Sequence, residues 1–228
     1  EDIYRPFKPK RKTRASIARE KGLEVLADLI GRQDDKLDLH NESQKFINVE
    51  NGLETEEEVI QGASDIIAEN VSDDAELRKS IRKLYEKAAK IESRASDENA
   101  ETVYQNYYEF CEPVSKIADH RILALDRGEK EGALKVSVSI DEEFCFSIAE
   151  RKYVINNTDS GNIVKAAVQD SCKRLIMPSV EREIRAELTA RAAEGAIKVF
   201  SSNLRQLLLQ PPIKNSVTLG LDPAYRTG

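Results

Sequence analysis

Residues 180–209 read VEREIRAELTARAAEGAIKVFSSNLRQLLL, and this stretch predicts a mainly helical protein. Its apolar side chains recur every three or four residues, which is the period of one face of an α-helix. The stripe consists of Val180, Ile184, Leu188, Ala192, Ala196, Val199, Phe200, Leu204, Leu207 and Leu208. Pro178 and Ser179 are expected to open the helix, and Pro211 and Pro212 to end it. At 1.5 Å per residue it would extend about 45 Å, with Gly195 as a possible bend.

Three shorter helices are predicted earlier in the chain. Apolar residues at helical spacing within 23–30 predict the first. Thr55 and Glu58 have the spacing of a capping box, in which each side chain bonds the backbone N–H of the other, so they predict the start of the second. The polar cluster 72–74 is expected to cap the third, whose apolar face extends to Ile91. The cations of this third helix are expected to be solvated: Arg78, Arg82, Lys83, Lys87 and Lys90.

Two short strands add a minor β component to this multi-helical, bundle-like body. The first is predicted near 133–140, where apolar and polar residues alternate, and a truncated strand is predicted near 217–222. Tyr104, Tyr107 and Tyr108 have helical spacing and could form a base-stacking platform. Packing in the core is the preferred interpretation, because their charged neighbours are acidic.

The composition is that of a soluble globular chain. Its 228 residues are 40% hydrophobic and 33% charged, enough to bury a substantial core. No apolar run approaches the roughly 20 residues that cross a bilayer. Cys111, Cys145 and Cys172 are expected to be buried thiols in a reducing cytoplasm. With His40 and His120 as the only histidines, a Cys/His zinc site is not expected.

The charge is unevenly distributed around a net value of -6. Residues 5–21 hold eight cations and one acid, whereas acids dominate residues 34–101. Prolines keep the basic segment extended, so that it can follow a phosphate backbone. The candidate nucleic-acid-binding residues are Lys8, Lys10, Arg11, Lys12 and Arg14. Pairing of these cations with the acidic helices of the same protein is an equally open interpretation.

No motif for catalysis is found. The sequence contains neither a phosphate-binding glycine loop nor a metalloprotease or nucleophile-elbow motif. His40 lies in a predicted polar loop, and His120 is expected to be a helix cap or a buried hydrogen-bond partner. Polar residues within 119–132 are expected to form an internal salt-bridge network, with phosphate binding as the weaker alternative. Those within 172–188 are expected to pair along one helix. We therefore expect no enzyme, cofactor or metal site.

Five ordered stretches resemble the Tex family of bacterial transcription accessory proteins. They are EDIYRPFKPKRKTRASIAREKGLEVLADL (1–29), DHRILALDRGEKE (119–131), KRLIMPSVEREIRAELTARA (173–192), FSSNLRQLLLQPP (200–212) and LGLDPAYRTG (219–228). The resemblance implies a large, cytoplasmic, multidomain parent related to a eukaryotic elongation factor. It also implies that a helical half with a helix-turn-helix element precedes a ribonuclease-H-like domain, helix-hairpin-helix modules and an OB-fold RNA-binding domain.

On this resemblance, the chain is an internal helical fragment with three parts. Residues 1–31 are a basic loop and helix, 32–215 the helical core, and 216–228 the truncated first strand of the ribonuclease-H-like domain. Asp222 takes the place of a catalytic carboxylate of related resolvases, but a two-metal nuclease needs further carboxylates, so no site is assigned to it.

Three functions follow as hypotheses. The leading one is a non-enzymatic scaffold of a transcription accessory protein, which contacts RNA or DNA mainly through domains outside this chain. The second is a module whose acidic helices, within 54–101, dock a basic partner such as part of the transcription machinery. The third is a metal-dependent nuclease that uses Asp222. A membrane or a small-molecule substrate is expected in none of them.

Overall fold

The computed structural model describes residues 2, 4, 12–97, 101–211 and 213–221. It confirms a mainly helical body with a small β component. The α-helices are α1 (Arg14–Glu20), α2 (Glu24–Arg32), α3 (Leu39–Gln44), α4 (Glu56–Ser72), α5 (Ala75–Ala88), α6 (Asp119–Lys130), α7 (Glu142–Tyr153), α8 (Asp159–Asp170) and α9 (Met177–Leu208). The strands are β1 (Lys90–Ala95), β2 (Glu109–Pro113) and β3 (Leu134–Ser139). No helix among the described residues is both long and apolar enough to cross a membrane.

The first helices pack against α4, which lies at the centre of the body. The predicted capping box of Thr55 and Glu58 is present at the start of α4. Gly62 lets the turn between α1 and α2 approach closely, since a Cβ there would lie 2.4 Å from Leu23 Cδ1. This contact buries Leu23 against α4.

Gln33 ties the end of α2 to the segment that follows α7. It ends α2 in the left-handed region, with φ of 53°. Its side chain is buried, donates to the Tyr153 carbonyl at 2.7 Å and accepts from the Ile155 N–H at 2.9 Å. The buried amide of Gln33 therefore finds both an acceptor and a donor in the backbone of this segment.

The sheet has the strand order β2-β1-β3 with antiparallel pairs. It confirms β3, whose Leu134 and Val138 are buried as the alternation predicted. It corrects the third predicted helix, because α5 ends at Ala88 and Ile91 lies in β1, opposite Val138. The tyrosine segment is a short 3₁₀ turn followed by β2 rather than a helix. Tyr104 is nevertheless buried in the core, as preferred.

The outer edge of β3 is covered by side chains of α9. The Val138 N–H donates to Glu181 Oε1 at 2.8 Å. Arg185 Nη1 donates to the Val136 carbonyl at 3.0 Å. One donor and one acceptor on this edge are thus satisfied without a further strand.

The helix predicted to begin at Pro178 begins earlier. α8 passes into α9 through a wide π-type segment, Ser171–Ile176, in which the Met177 N–H bonds the Cys172 carbonyl five residues back. Pro178 follows this segment inside the helical run, where its missing N–H is tolerated because the bonding pattern has already shifted. Gly195 lies within α9 at a close contact, since a Cβ there would be 3.0 Å from Asp119 Oδ2.

The apolar stripe of α9 divides at Gly195. Val180, Ile184, Leu188 and Ala192 are buried against the body. Beyond Gly195, the predicted core residues are exposed among the described residues: Val199, Phe200, Leu204, Leu207 and Leu208. Residues 217–221 are also exposed and form no strand, and Asp222 lies outside the described residues.

Candidate nucleic-acid interface

The predicted basic interface falls partly within the structure. Lys8, Lys10 and Arg11 lie outside the described residues, so their assignment stays a prediction. Lys12 is exposed, and its Nζ lies 3.7 Å from Glu20 Oε2. Arg14 is exposed at the first residue of α1. Both described cations are therefore accessible from solvent.

Helix α1 is docked on α4 by polar contacts. Arg19 Nη1 donates to Glu69 Oε2 at 2.5 Å, and Thr13 Oγ1 donates to Glu69 Oε1 at 3.0 Å. Arg19 Nη2 also donates to Asn70 Oδ1 at 2.8 Å. Arg19, a cation of the basic residues 5–21, therefore pairs with an acidic residue of α4 in the same protein. The same contacts fix the orientation of α1 and hence of Arg14.

A groove of about 540 Å³ lies between α1 and α4. Arg14 and Lys21 line one side, and Glu57, Glu58 and Asp65 line the other. Burial raises the pKa of Asp65, although Arg174 and Arg14 oppose this shift. The acidic wall disfavours entry of a phosphate into this groove, although Arg14 and Lys21 line it.

The acids at the start of α4 are largely occupied by local contacts. Glu56 accepts from Ser43 Oγ at 2.9 Å and lies 2.7 Å from His40 Nδ1. Glu58 accepts from the Glu54 N–H at 2.8 Å, in addition to its capping role. Glu57 is exposed. Fewer acids at the start of α4 are thus available to bind a basic partner than the run of glutamates in the sequence indicated.

The two polar stretches form salt bridges between elements. Arg185 of α9 lies 3.1 Å from Asp126 and 2.6 Å from Glu129 of α6, which agrees with the internal network expected there. Pairing along one helix was expected for 172–188, but Arg174 pairs with Asp170, which precedes that stretch, and Lys173 pairs with Glu142 of α7. The expectation is also wrong for Arg185, because α6 packs on α9 and brings its acids closer than those of α9 itself.

The histidines do not form a catalytic arrangement. His40 lies in α3 rather than in a loop. Ser43 Oγ donates to Glu56 rather than to His40, so the imidazole is not placed to take the hydroxyl proton. His120 is exposed at the second residue of α6, and Ala118 is the N-cap, which corrects the role expected for His120.

The cysteines divide into two classes. Cys145 and Cys172 are buried as expected, and burial is the main cause that raises their pKa values to about 11 and about 12. Cys111 is exposed on β2, because it lies on the solvent face of the sheet, so its predicted burial is wrong. Within the described ranges, no three histidine, cysteine or acidic residues are grouped as metal ligands.

Sequence reasoning missed a buried arginine on α5. Arg78 was expected to be solvated, but its side chain is 0% exposed. It pairs with Asp2 and with Glu183 of α9. The available signal was its helical spacing, because Arg78 lies three residues before Ile81 and seven before Tyr85, on the apolar face of α5.

Comparisons with known proteins identify the family of this chain. The family described as Tex central region-like matches residues 34–200. The chain is 47% identical to the uncharacterized protein YdcI of Bacillus subtilis and 34% identical to the transcriptional accessory protein Tex of Neisseria gonorrhoeae. It is 31% identical to the human S1 RNA-binding domain-containing protein 1. All of this chain is aligned in each case, and it spans 32%, 31% and 24% of those relatives, respectively. The chain therefore belongs to the Tex family.

Proposed function

We propose that this chain is a non-enzymatic helical scaffold within a nucleic-acid-associated transcription accessory protein. The observation that carries the proposal is the exposed apolar face on the outer half of α9, residues 196–208. Relatives named for transcription and for RNA binding support the nucleic-acid association. Because the chain spans about a third of its bacterial relatives, the scaffold would position parts of the protein that this chain does not contain.

The exposed face has the pattern of a helix-packing seam. Ile197, Phe200, Leu204 and Leu207 follow one another at intervals of three, four and three residues, as in a coiled coil. Phe200 is 67% exposed and Leu207 is 62% exposed. Full burial of such a side chain contributes about 1.5–3 kcal/mol. A continuous row of this kind on a stable protein marks a contact surface.

The inner half of α9 supplies the rigid base that a scaffold needs. Arg185 joins it to α6, and Arg191 Nε donates to Asp119 Oδ1 at 2.8 Å near the point where burial ends. Glu183 joins it to α5 through Arg78. These contacts lie on different sides of the helix, and together they fix the direction in which the outer half leaves the body.

Substitutions on the seam test the scaffold. In this chain alone, Phe200→Ser and Leu207→Ser should leave the free energy of unfolding within about 0.5 kcal/mol of the original, because both side chains are exposed. In a Tex-family polypeptide as long as the relatives, each substitution should lower the free energy of unfolding by about 2 kcal/mol. Gln206→Ser, also on the outer half, is the matched control. If the seam variants of the long polypeptide unfold like the control, the scaffold role of this face is wrong.

Weak nucleic-acid contact through Lys8–Arg14 is the second part of the proposal. Titration with single- and double-stranded oligonucleotides at several salt concentrations gives the number of phosphate contacts. Replacing Lys10, Arg11 and Lys12 by Gln should reduce the salt slope by about 2–3. A control that replaces Lys83, Lys87 and Lys90 by Gln removes the same charge elsewhere. Equal loss in both sets would mean that the chain has no defined interface at the basic segment.

A further inference from the structure

Two arginines and two carboxylates form a compact cluster where α5 meets α9. Arg78 is 0% exposed and Arg82, one turn later, is 22% exposed. The carboxylates come from Glu183 of α9 and from Asp2. A fully buried guanidinium is rare in proteins unless its charge is paired, so this cluster is a built feature rather than a solvated helix face.

Both carboxylates use both of their oxygens. Asp2 Oδ1 accepts from Arg78 Nε, and Oδ2 accepts from Arg82 Nη2, each at 2.9 Å. Glu183 Oε1 accepts from Arg78 Nη2 at 2.8 Å, and Oε2 accepts from Arg82 Nη2 at 2.5 Å. Burial alone would raise the pKa of Asp2, but the bonds from Arg78 and Arg82 lower it, so Asp2 is ionised at neutral pH.

The two carboxylates differ in how they are held. Glu183 lies within a long helix, which fixes it beside the arginines, whereas Asp2 belongs to neither a helix nor a strand. Without the Asp2 carboxylate, two positive charges would face one negative charge, with Arg78 Nε and Arg82 Nη2 directed at one point. Arg78 Nη1 is a further buried donor that has no hydrogen-bond acceptor among the described residues.

We propose that the position held by Asp2 is an oxyanion-binding site of α5, and that Asp2 occupies it as a built-in competitor of phosphate. Two guanidinium groups that converge on one point are a preferred arrangement for phosphate. The Asp2 side chain is 18% exposed, so a small oxyanion or a terminal phosphate can reach the position. Because Asp2 belongs to the same chain, its effective concentration is high, and added phosphate competes poorly with it.

Chemical rescue tests this assignment. Asp2→Ala should lower the Tm of the chain by about 5 °C, because it leaves the arginine charges uncompensated. Inorganic phosphate at ten times its dissociation constant should then raise the Tm of Asp2→Ala by about 3 to 5 °C more than that of the original chain. If Asp2→Ala does not fold, Asp2→Asn is measured in the same way. A 5′-phosphorylated oligonucleotide, compared with its unphosphorylated form, shows whether the phosphate of a nucleic acid is accepted as well.

Three controls decide the outcome. Asp28→Ala removes an exposed acid from α2 and reports the general effect of phosphate on stability. Asp2→Ala combined with Arg82→Gln should lose the rescue, because one of the two donors is gone. Acetate should rescue less than phosphate does. The proposal is overturned if phosphate stabilises Asp2→Ala no more than Asp28→Ala, if the double variant is rescued equally, or if acetate matches phosphate. The assay does not depend on Lys8–Arg14, so its failure would leave the proposed function untouched.

Discussion

Substitution of Gly161 by Ala should destabilise the protein although Ala is the better helix former. Gly161 is the third residue of α8, and its N–H bonds Thr158 Oγ1 at 3.1 Å. Helix propensity alone would favour Ala by about 1 kcal/mol. However, a Cβ at this position would lie 1.9 Å from the carbonyl oxygen of Asn156 and 3.4 Å from Gln33 Oε1.

The obstacle is backbone that cannot move independently. The Asn156 side chain donates to the Gln33 carbonyl at 3.1 Å, and Gln33 in turn holds Tyr153 and Ile155. Real Cβ atoms essentially never approach another atom within 3.0 Å, so the segment must shift by about 1 Å and strain these bonds. We expect a loss of about 3 kcal/mol in the free energy of unfolding, which is the upper part of the range for overpacking.

Urea and thermal unfolding followed by far-ultraviolet circular dichroism measure this effect. The Tm of Gly161→Ala should fall by about 6 to 12 °C. Gly31→Ala is the matched control, because Gly31 is an exposed residue of α2 and a Cβ there meets nothing within 4 Å. It should stabilise the chain by about 0.5–1 kcal/mol. If Gly161→Ala is as stable as the control, the contact between α8 and the segment before it is not as described.

Other predictions concern charge and thiol chemistry. Burial would raise the pKa of Glu183, but the bonds from Arg82 and Arg78 lower it. The stabilising effect of the Glu183 carboxylate is therefore present above its ordinary pKa of 4.5 and is lost as the pH falls below that value. The free energy of unfolding of Glu183→Gln should therefore approach that of the original chain only at acidic pH. A thiol reagent at mildly alkaline pH should label Cys111 alone in the folded chain and all three cysteines after unfolding, since Cys145 and Cys172 are buried; rapid labelling of two thiols in the folded chain would contradict this. Arg185→Lys should cost about 2 kcal/mol in urea unfolding, because an ammonium group cannot bond Asp126, Glu129 and the Val136 carbonyl together, and an unchanged midpoint would show that this cluster adds little.

The helical elements were predictable because their signals are local. Thr55 and Glu58 lie three residues apart, and their capping box forms as predicted. The alternation in β3 likewise identified the buried Leu134 and Val138. These patterns depend on side chains that one short element places on one face, so the sequence contains the necessary information.

The missed features depend on contacts between distant residues. β1 exists because it pairs with both β2 and β3, and Ile91 continues the apolar spacing of α5 by coincidence. Arg78 is buried because Asp2 and Glu183, 76 and 105 residues away, supply its acceptors. The apolar residues of α9 keep their helical spacing beyond Gly195. This spacing alone does not show where the residues that pack against α9 end.

The covered edge of β3 restricts where a further strand can join the sheet. Glu181 and Arg185 take up backbone groups that a further strand would need. Growth of the sheet on that side, by a segment of this chain or by another molecule, would have to displace two charged side chains from α9. This protects the protein from edge-to-edge aggregation there. It also means that Val217, Leu219 and Leu221, which favour extended backbone and are exposed, must find their hydrogen-bond partners elsewhere than on this edge.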